Sequence, residues 1–167
     1  RHAFRQLVRV EPDGGYTRRA ARWQDLPAAA HALLEALVAA RLLVSGQEEG
    51  GARMLEVAHE ALFRAWDQLR RWLDEDRVFL LWRQHALAAA EAWQRVPGDA
   101  GLLLRGGPLA EARRWQAERA DDHGDTLRTY TDASVAAERR ARLRRLGARG
   151  GLAALVLASA ALGAGFW

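Results

Sequence analysis

The fold is decided by the stretch Leu55-Glu-Val-Ala-His-Glu-Ala-Leu-Phe-Arg-Ala-Trp-Asp-Gln-Leu-Arg-Arg-Trp-Leu-Asp-Glu-Asp-Arg77, in which the hydrophobic pattern changes at His59. The run from Arg53 to Ala58 is short and follows two glycines, which is typical of a β-strand. From position 59 to 73 the apolar residues recur at helical spacing. They form one face: Leu62, Phe63, Trp66, Leu69 and Leu73. The sequence therefore predicts a strand that leads into an amphipathic helix.

The chain after this stretch is predicted to be mostly helical. Asp74-Glu-Asp76 interrupts the pattern as a charged link, and Asp76 is a suitable N-cap for a second helix from about Arg77 to Arg95. The apolar stripe of that helix comprises Val78, Trp82, His85, Ala89 and Trp93. Beyond links that contain glycine and proline, a third helix is expected to about Ala120 and a fourth over about 125–145.

A helix and the first half of a hairpin precede the stretch. Asp25-Leu-Pro27 starts a helix that runs to Arg41, since proline suits a first helical turn. The runs Leu42–Ser45 and Arg53–Ala58 flank a glycine-rich turn and predict a β-hairpin. The order of elements predicts a mainly α fold, with a small winged-helix unit over 1–73 that carries the hairpin as its wing, and a helical bundle over 74–138.

Charge is distributed unevenly along the chain. The formal net charge is +4, yet all 21 acidic residues lie at or before Glu138. Six arginines follow: Arg139, Arg140, Arg142, Arg144, Arg145 and Arg149. The 17 uncharged residues over 151–167 would extend about 26 Å as a helix, against about 30 Å for a bilayer core. We therefore expect an Arg-rich juxtamembrane segment over 139–149, the start or most of a transmembrane helix over 150–167, and a cytoplasmic domain anchored to the inner or plasma membrane. A buried Ala- and Gly-rich helix and a disordered tail are the alternatives.

Composition excludes several classes of function. With 167 residues, half of them apolar, the chain is long enough to bury a core, and it contains neither cysteine nor lysine. Disulfide frameworks, thiolate metal sites and a Walker A lysine are therefore excluded within it. His59-Glu60 begins a zinc-protease pattern, but Phe63 stands where the second histidine is required. We expect no metal site, no catalytic residue and no autonomous enzyme. Because the sequence begins without methionine, we also expect it to be part of a longer protein.

DNA binding by a membrane-anchored winged-helix regulator is the first alternative function. Base readout needs polar side chains on the recognition helix, and before Arg41 the predicted helix offers only His31 and Glu35. Glu48 and Glu49 in the hairpin turn would repel phosphates. We therefore expect no nucleic acid partner. A helical protein-interaction adaptor is the second alternative.

The stretch over 55–77 resembles the region that follows the ATPase core in STAND-class signalling NTPases, specifically the novel STAND NTPase 1 group. Supporting stretches are Leu37-Val-Ala-Ala-Arg-Leu-Leu-Val44, Gly101-Leu-Leu-Leu-Arg-Gly106 and the Arg-rich helix before the apolar run. The resemblance implies the regulatory and coupling segment of a bacterial, membrane-tethered P-loop NTPase, often fused to WD40 repeats. Such a segment senses nucleotide state and relays it in signal transduction.

The resemblance also implies site residues, cofactors and partners. Ala58-His59-Glu60 matches the junction where STAND proteins carry a His-Asp pair whose histidine contacts the phosphate of ADP, so His59 and Glu60 are the implied nucleotide-sensing residues. From the residues alone, the favoured interpretation of His59 is a residue of the helix-cap region with a structural hydrogen bond. The chain is expected to hold no cofactor, whereas the full-length protein is expected to bind ATP or ADP with Mg²⁺ through upstream Walker motifs. The implied partners are the upstream P-loop domain, a downstream sensor or repeat domain, the membrane, and further copies of the protein on activation.

Overall fold

The structure of the chain is a computed structural model, which describes the backbone of residues 1–48, 50–96 and 98–164 and the side chains as far as residue 145. It is mainly helical, as predicted. The helices are α1 (His2–Gln6), α2 (His31–Ala39), α3 (Ala61–Ala65), α4 (Asp67–Arg95), α5 (Gly106–Glu118) and α6 (Ala120–Ala164). The strands are β1 (Val8–Val10), β2 (Tyr16–Arg18), β3 (Ala21–Arg22), β4 (Leu43–Gln47) and β5 (Arg53–Val57).

The strands form two small antiparallel sheets. Strand β1 pairs with β2, and β5 lies between β3 and β4 in the second sheet. The predicted hairpin is confirmed, with Leu43 opposite Val57 and Ser45 opposite Leu55. Leu55 and Val57 point inward and are fully buried, because alternate residues of a strand face the same side. They anchor the sheet in the larger of two apolar cores.

The strand-to-helix junction at His59 is present, but the helix after it is broken. Helix α3 ends at Ala65, and Trp66 adopts an extended backbone (φ −97°, ψ 91°) before α4 begins. The indole of Trp66 packs edge-on against Phe4 of α1, with ring centroids 5.5 Å apart. This contact joins residues far apart in sequence, so helical periodicity alone does not predict it.

The predicted break at Asp74-Glu-Asp76 is wrong, because α4 continues through it for 29 residues. Asp76 does not cap a helix; it lies in the middle of one and is buried. The predicted stripe is also partly wrong, since Val78 is 69% exposed and His85 is exposed. The buried face instead includes Leu69, Leu73, Asp76, Leu80 and Arg83, at alternating spacings of four and three.

A winged-helix unit over 1–73 is not supported by the structure. A helix-turn-helix needs two packed helices ahead of the wing. Between β3 and β4, where every residue is described, the structure has two 3₁₀ turns and α2, which is nine residues long. The start of the predicted helix from Pro27 is instead a 3₁₀ turn, Ala28–Ala30, and α2 begins only at His31.

The predicted C-terminal transmembrane helix is wrong. In the part of the chain that the structure describes, no helix is long and apolar enough to cross a membrane. Nine of the 17 residues over 151–167 are Ala or Gly, which contribute little hydrophobicity. The last three of these residues, 165–167, lie outside the described part.

A second, smaller core joins α4 to α6. It contains Ala86, Ala90, Leu127 and Tyr130, with Trp93 packed against the ring of Tyr130. The Tyr130 hydroxyl donates a hydrogen bond to the carbonyl of Leu102 at 2.7 Å, which fixes the link between α4 and α5 against α6. Helix α6 is therefore held along α4, with its first turn next to α1.

Candidate functional site

His59 and Glu60 lie together in the exposed turn between β5 and α3. The backbone carbonyl of His59 accepts a hydrogen bond from the amide of Leu62 at 3.0 Å, which starts α3. Among the described residues, the His59 imidazole has no hydrogen-bond or ion-pair partner. Glu60 Oε1 accepts from the backbone amide of Arg18 at 3.4 Å, so its carboxylate faces β2. The side chain of His59 is therefore exposed in this turn.

A buried ionic network joins three separate helices. Its central residue is Arg5 of α1, whose Nε donates to Asp76 Oδ2 of α4 at 2.6 Å. The Nη1 atom of the same guanidinium donates to Asp122 Oδ2 in the first turn of α6. The side chains of Arg5, Asp76 and Asp122 are 7%, 1% and 1% exposed. We call these three residues the Arg5 bridge.

Two further arginines surround the Asp76 carboxylate. Arg1 Nε donates to Asp76 Oδ2 at 3.0 Å, and Arg119 Nη1 lies 2.9 Å from Asp76 Oδ1. Burial by itself would raise the pKa of Asp76, but the guanidinium groups of Arg1, Arg5 and Arg119 outweigh it and hold that pKa below its usual value. The carboxylate is therefore ionised at neutral pH and fixes all three cations.

The backbone of Asp122 is also part of the network. Its carbonyl accepts hydrogen bonds from Arg83 Nε at 3.2 Å and from Gln6 Nε2 at 3.4 Å. Arg83 Nη2 in turn donates to Gln6 Oε1. The first turn of α6 is thereby tied to α1 and to α4 through both its main chain and its side chain. The sequence analysis missed this cluster. A signal was present, because Asp76 and Arg83 occupy positions on the apolar face of α4. Charged residues on such a face indicate a buried pair.

His123 lies directly beside this cluster and is 1% exposed. Its ring packs against Trp82 with centroids 5.3 Å apart, and neither ring nitrogen has a hydrogen-bond partner among the described residues. Burial, together with the charges of Arg83 and Arg128, lowers the pKa of His123 to about 4. The imidazole is therefore neutral at physiological pH.

The arginines predicted to flank a membrane are exposed on α6 where their side chains are described: Arg139, Arg140, Arg142, Arg144 and Arg145. They line an open groove of about 870 Å³, to which Arg105 and Arg113 also contribute. The side chain of Arg149 lies outside the described residues. Since the described helices include no membrane span, the membrane-flanking role of these arginines stays a prediction.

Comparison with known protein families places the strand-to-helix junction and most of the network in one family. Residues 1–101 match the family described as Novel STAND NTPase 1, which is more than half of the chain. The chain belongs to the novel STAND NTPase 1 family. Searches of curated proteins and of solved structures give no match.

The family assignment identifies the chain as a STAND NTPase-associated domain and not as the catalytic core itself. In the described ranges, no three His, Asp or Glu side chains are close enough to hold a metal ion. The match includes Arg5 and Asp76 but ends before Asp122. The Arg5 bridge therefore ties the part of the chain that matches the family to the helices that follow it.

Loss of the Arg5 guanidinium should strongly destabilise the chain. In Arg5→Met, Asp122 loses its buried cationic partner and Asp76 loses one of three, so we expect the free energy of unfolding to fall by about 3–5 kcal/mol. The control is Arg70→Gln, which removes an exposed pair with Asp67 on α4 and should change stability little. Urea unfolding of both variants measures the difference. Equal midpoints for the two variants would contradict the stabilising role of the bridge.

Acidification should destabilise the chain through His123. Its pKa is about 4 when folded and about 6.5 when unfolded, so the unfolded state binds the proton first and stability decreases as the pH falls from 6.5 towards 4. At pH 5 this effect lowers the free energy of unfolding by about 2 kcal/mol. His123→Phe should remove this part of the pH dependence, whereas His85→Gln, at an exposed position on α4, should keep it. Urea unfolding of each variant at pH 7 and at pH 5 tests this. The prediction is refuted if His123→Phe loses as much free energy of unfolding between these pH values as the wild type does.

Proposed function

We propose that this chain couples the nucleotide state of an upstream P-loop domain to a module downstream in signal transduction. The observation that supports this role is the Arg5 bridge, which holds α1 to α4 and to the start of α6. In this proposal, α1 receives the displacement of the ATPase core and α6 passes it on. ATP or ADP with Mg²⁺ binds to the P-loop domain, and this chain contributes His59 from the turn before α3.

The docked position of α1 is suited to a two-state switch. When α1 is docked, the charges of Asp76 and Asp122 are compensated by Arg5. Partial withdrawal would leave buried carboxylates without this partner, which is strongly unfavourable. The intermediate positions are therefore disfavoured, and α1 is either docked with the bridge closed or released with both carboxylates open to water. A small displacement upstream is in this way converted into a discrete change.

Gly124 gives α6 a hinge next to the bridge. Its backbone (φ 64°, ψ 165°) interrupts the helical conformation two residues after Asp122, in a region that only glycine adopts without strain. The first turn of α6 belongs to the network, whereas the helix beyond the hinge packs on α4 through Leu127 and Tyr130. Release of Asp122 therefore frees the first turn of α6, before the hinge, while the helix after the hinge stays packed on α4.

The proposed sensing role of His59 predicts a faster loss of ADP when its imidazole is removed. A hydrogen bond between a histidine and a phosphate contributes about 1.5–3 kcal/mol when it is charge-assisted. In the intact protein, His59→Ala should therefore release ADP about ten- to hundredfold faster and favour the signalling state. Arg64→Gln, an exposed change on α3, is the matched control. If folded His59→Ala releases ADP at the wild-type rate, His59 has a structural role only.

The coupling role predicts that α6 moves relative to the sheet when the nucleotide changes. The chain has no cysteine, so Val44→Cys on β4 and Leu143→Cys on α6, which are 53% and 69% exposed, accept a pair of spin labels. In the intact protein the distance between the labels should differ by several ångströms between the ADP and ATP states. Arg5→Lys should abolish this difference without loss of nucleotide binding, because an ammonium cannot reproduce the two-pronged contact of a guanidinium.

The control for the distance measurement is again Arg70→Gln, which should respond as the wild type does. Identical distances with ADP and ATP in the wild type would contradict coupling through α6. A response in Arg5→Lys equal to that of the wild type would show that the Arg5 bridge does not carry it.

A further inference from the structure

A cavity of about 330 Å³ lies between β1 and α4, away from the His59 turn. Three arginines line it: Arg9 of β1, Arg19 directly after β2, and Arg83 of α4. Glu91 is the one acidic residue among the lining residues, and it is exposed. The cavity therefore has a net positive charge.

Arg83 is unusual because its buried charge forms no ion pair with a described residue. It is 5% exposed, and its hydrogen bonds go to two uncharged oxygens, the carbonyl of Asp122 and Oε1 of Gln6. No carboxylate oxygen of the described residues lies within 4.0 Å of its guanidinium nitrogens. Burial, and then the like charge of Arg19, lower its pKa. A buried guanidinium in this state is stabilised by any anion that reaches it.

Arg9, Arg19 and Gln84 provide further donors in the same cavity. Neither Arg9 nor Arg19 forms an ion pair with a described residue, and burial lowers the pKa of Arg19 as well. Gln84 Oε1 accepts a hydrogen bond from the Val10 amide at 3.2 Å, so the amide group of this side chain is oriented and its N–H donors remain available. The cavity thus combines three guanidinium groups and an amide, and the exposed carboxylate of Glu91 is the one acidic group in its lining.

We propose that this cavity, lined by Arg9, Arg19, Arg83 and Gln84, binds a phosphate group. A phosphate carries up to two negative charges and several acceptor oxygens, which matches several planar guanidinium donors better than a single carboxylate does. The phosphate is either a free anion or part of a phosphorylated side chain. Because Arg83 also holds the Asp122 carbonyl, an occupied cavity stabilises the first turn of α6 through the same side chain.

Calorimetric titration of the full 167-residue chain tests this assignment. Inorganic phosphate and O-phosphoserine are added separately at constant ionic strength, with chloride as the reference anion. Both phosphates should bind, with a dissociation constant at least tenfold lower than that of chloride. Tighter binding of O-phosphoserine identifies a phosphorylated side chain as the source, and tighter binding of inorganic phosphate identifies a free anion.

Two variants locate the binding. Arg9→Gln and Arg19→Gln remove donors that are not buried in the core, so the fold is retained, and each should weaken phosphate binding about tenfold or more. Arg64→Gln lies outside the cavity and should bind as the wild type does. The proposal is overturned if phosphate binds no tighter than chloride, or if Arg19→Gln and Arg64→Gln have the same affinity.

Discussion

The contact on which the rest of the structure depends is the bridge from Arg5 to Asp76 and Asp122. A single buried guanidinium pairs with two carboxylates on two other helices, of which Asp76 also pairs with Arg1 and Arg119. Without it, α1 would leave uncompensated charge inside the bundle, which costs several kcal/mol per ion. The position of α1, the course of α4 through Asp76, and the start of α6 are therefore determined together.

This arrangement places charged side chains where most domains have apolar ones. Apolar contacts weaken gradually as surfaces separate, whereas a buried ion pair has two acceptable conditions, fully paired or fully hydrated. In the proposed coupling role, a domain held in this way responds to displacement in an all-or-none manner. The hinge at Gly124 lies two residues from Asp122, so in the proposed switch the opening of the bridge also releases the segment before the hinge.

The cavity around Arg83 is a second cluster of positive charge, and Arg83 itself also belongs to the ionic network. The two clusters differ in how far their positive charges are compensated. The arginines at Asp76 and Asp122 are paired, whereas Arg83 faces uncharged oxygens and a cavity. His123 stays neutral beside it because burial and the neighbouring arginines oppose a further positive charge. The electrostatics of the α4–α6 contact therefore depend on which groups are ionised, and not only on the apolar surface that is buried.

The sequence by itself determined the mainly helical class, the hairpin at β4 and β5, the junction at His59 and the family, because these depend on local periodicity, turn residues and a local motif. It misplaced the start of α4 and the role of Asp76, because an acidic residue between two apolar runs has the pattern of a helix cap when its partners are unknown. Those partners, Arg1, Arg5 and Arg119, lie at least 43 residues away in sequence. Only the tertiary structure decided that Asp76 is a buried acceptor, that Trp66 breaks the helix, and that Arg83 faces a cavity, because pairing between distant charges has no periodic signature in one sequence.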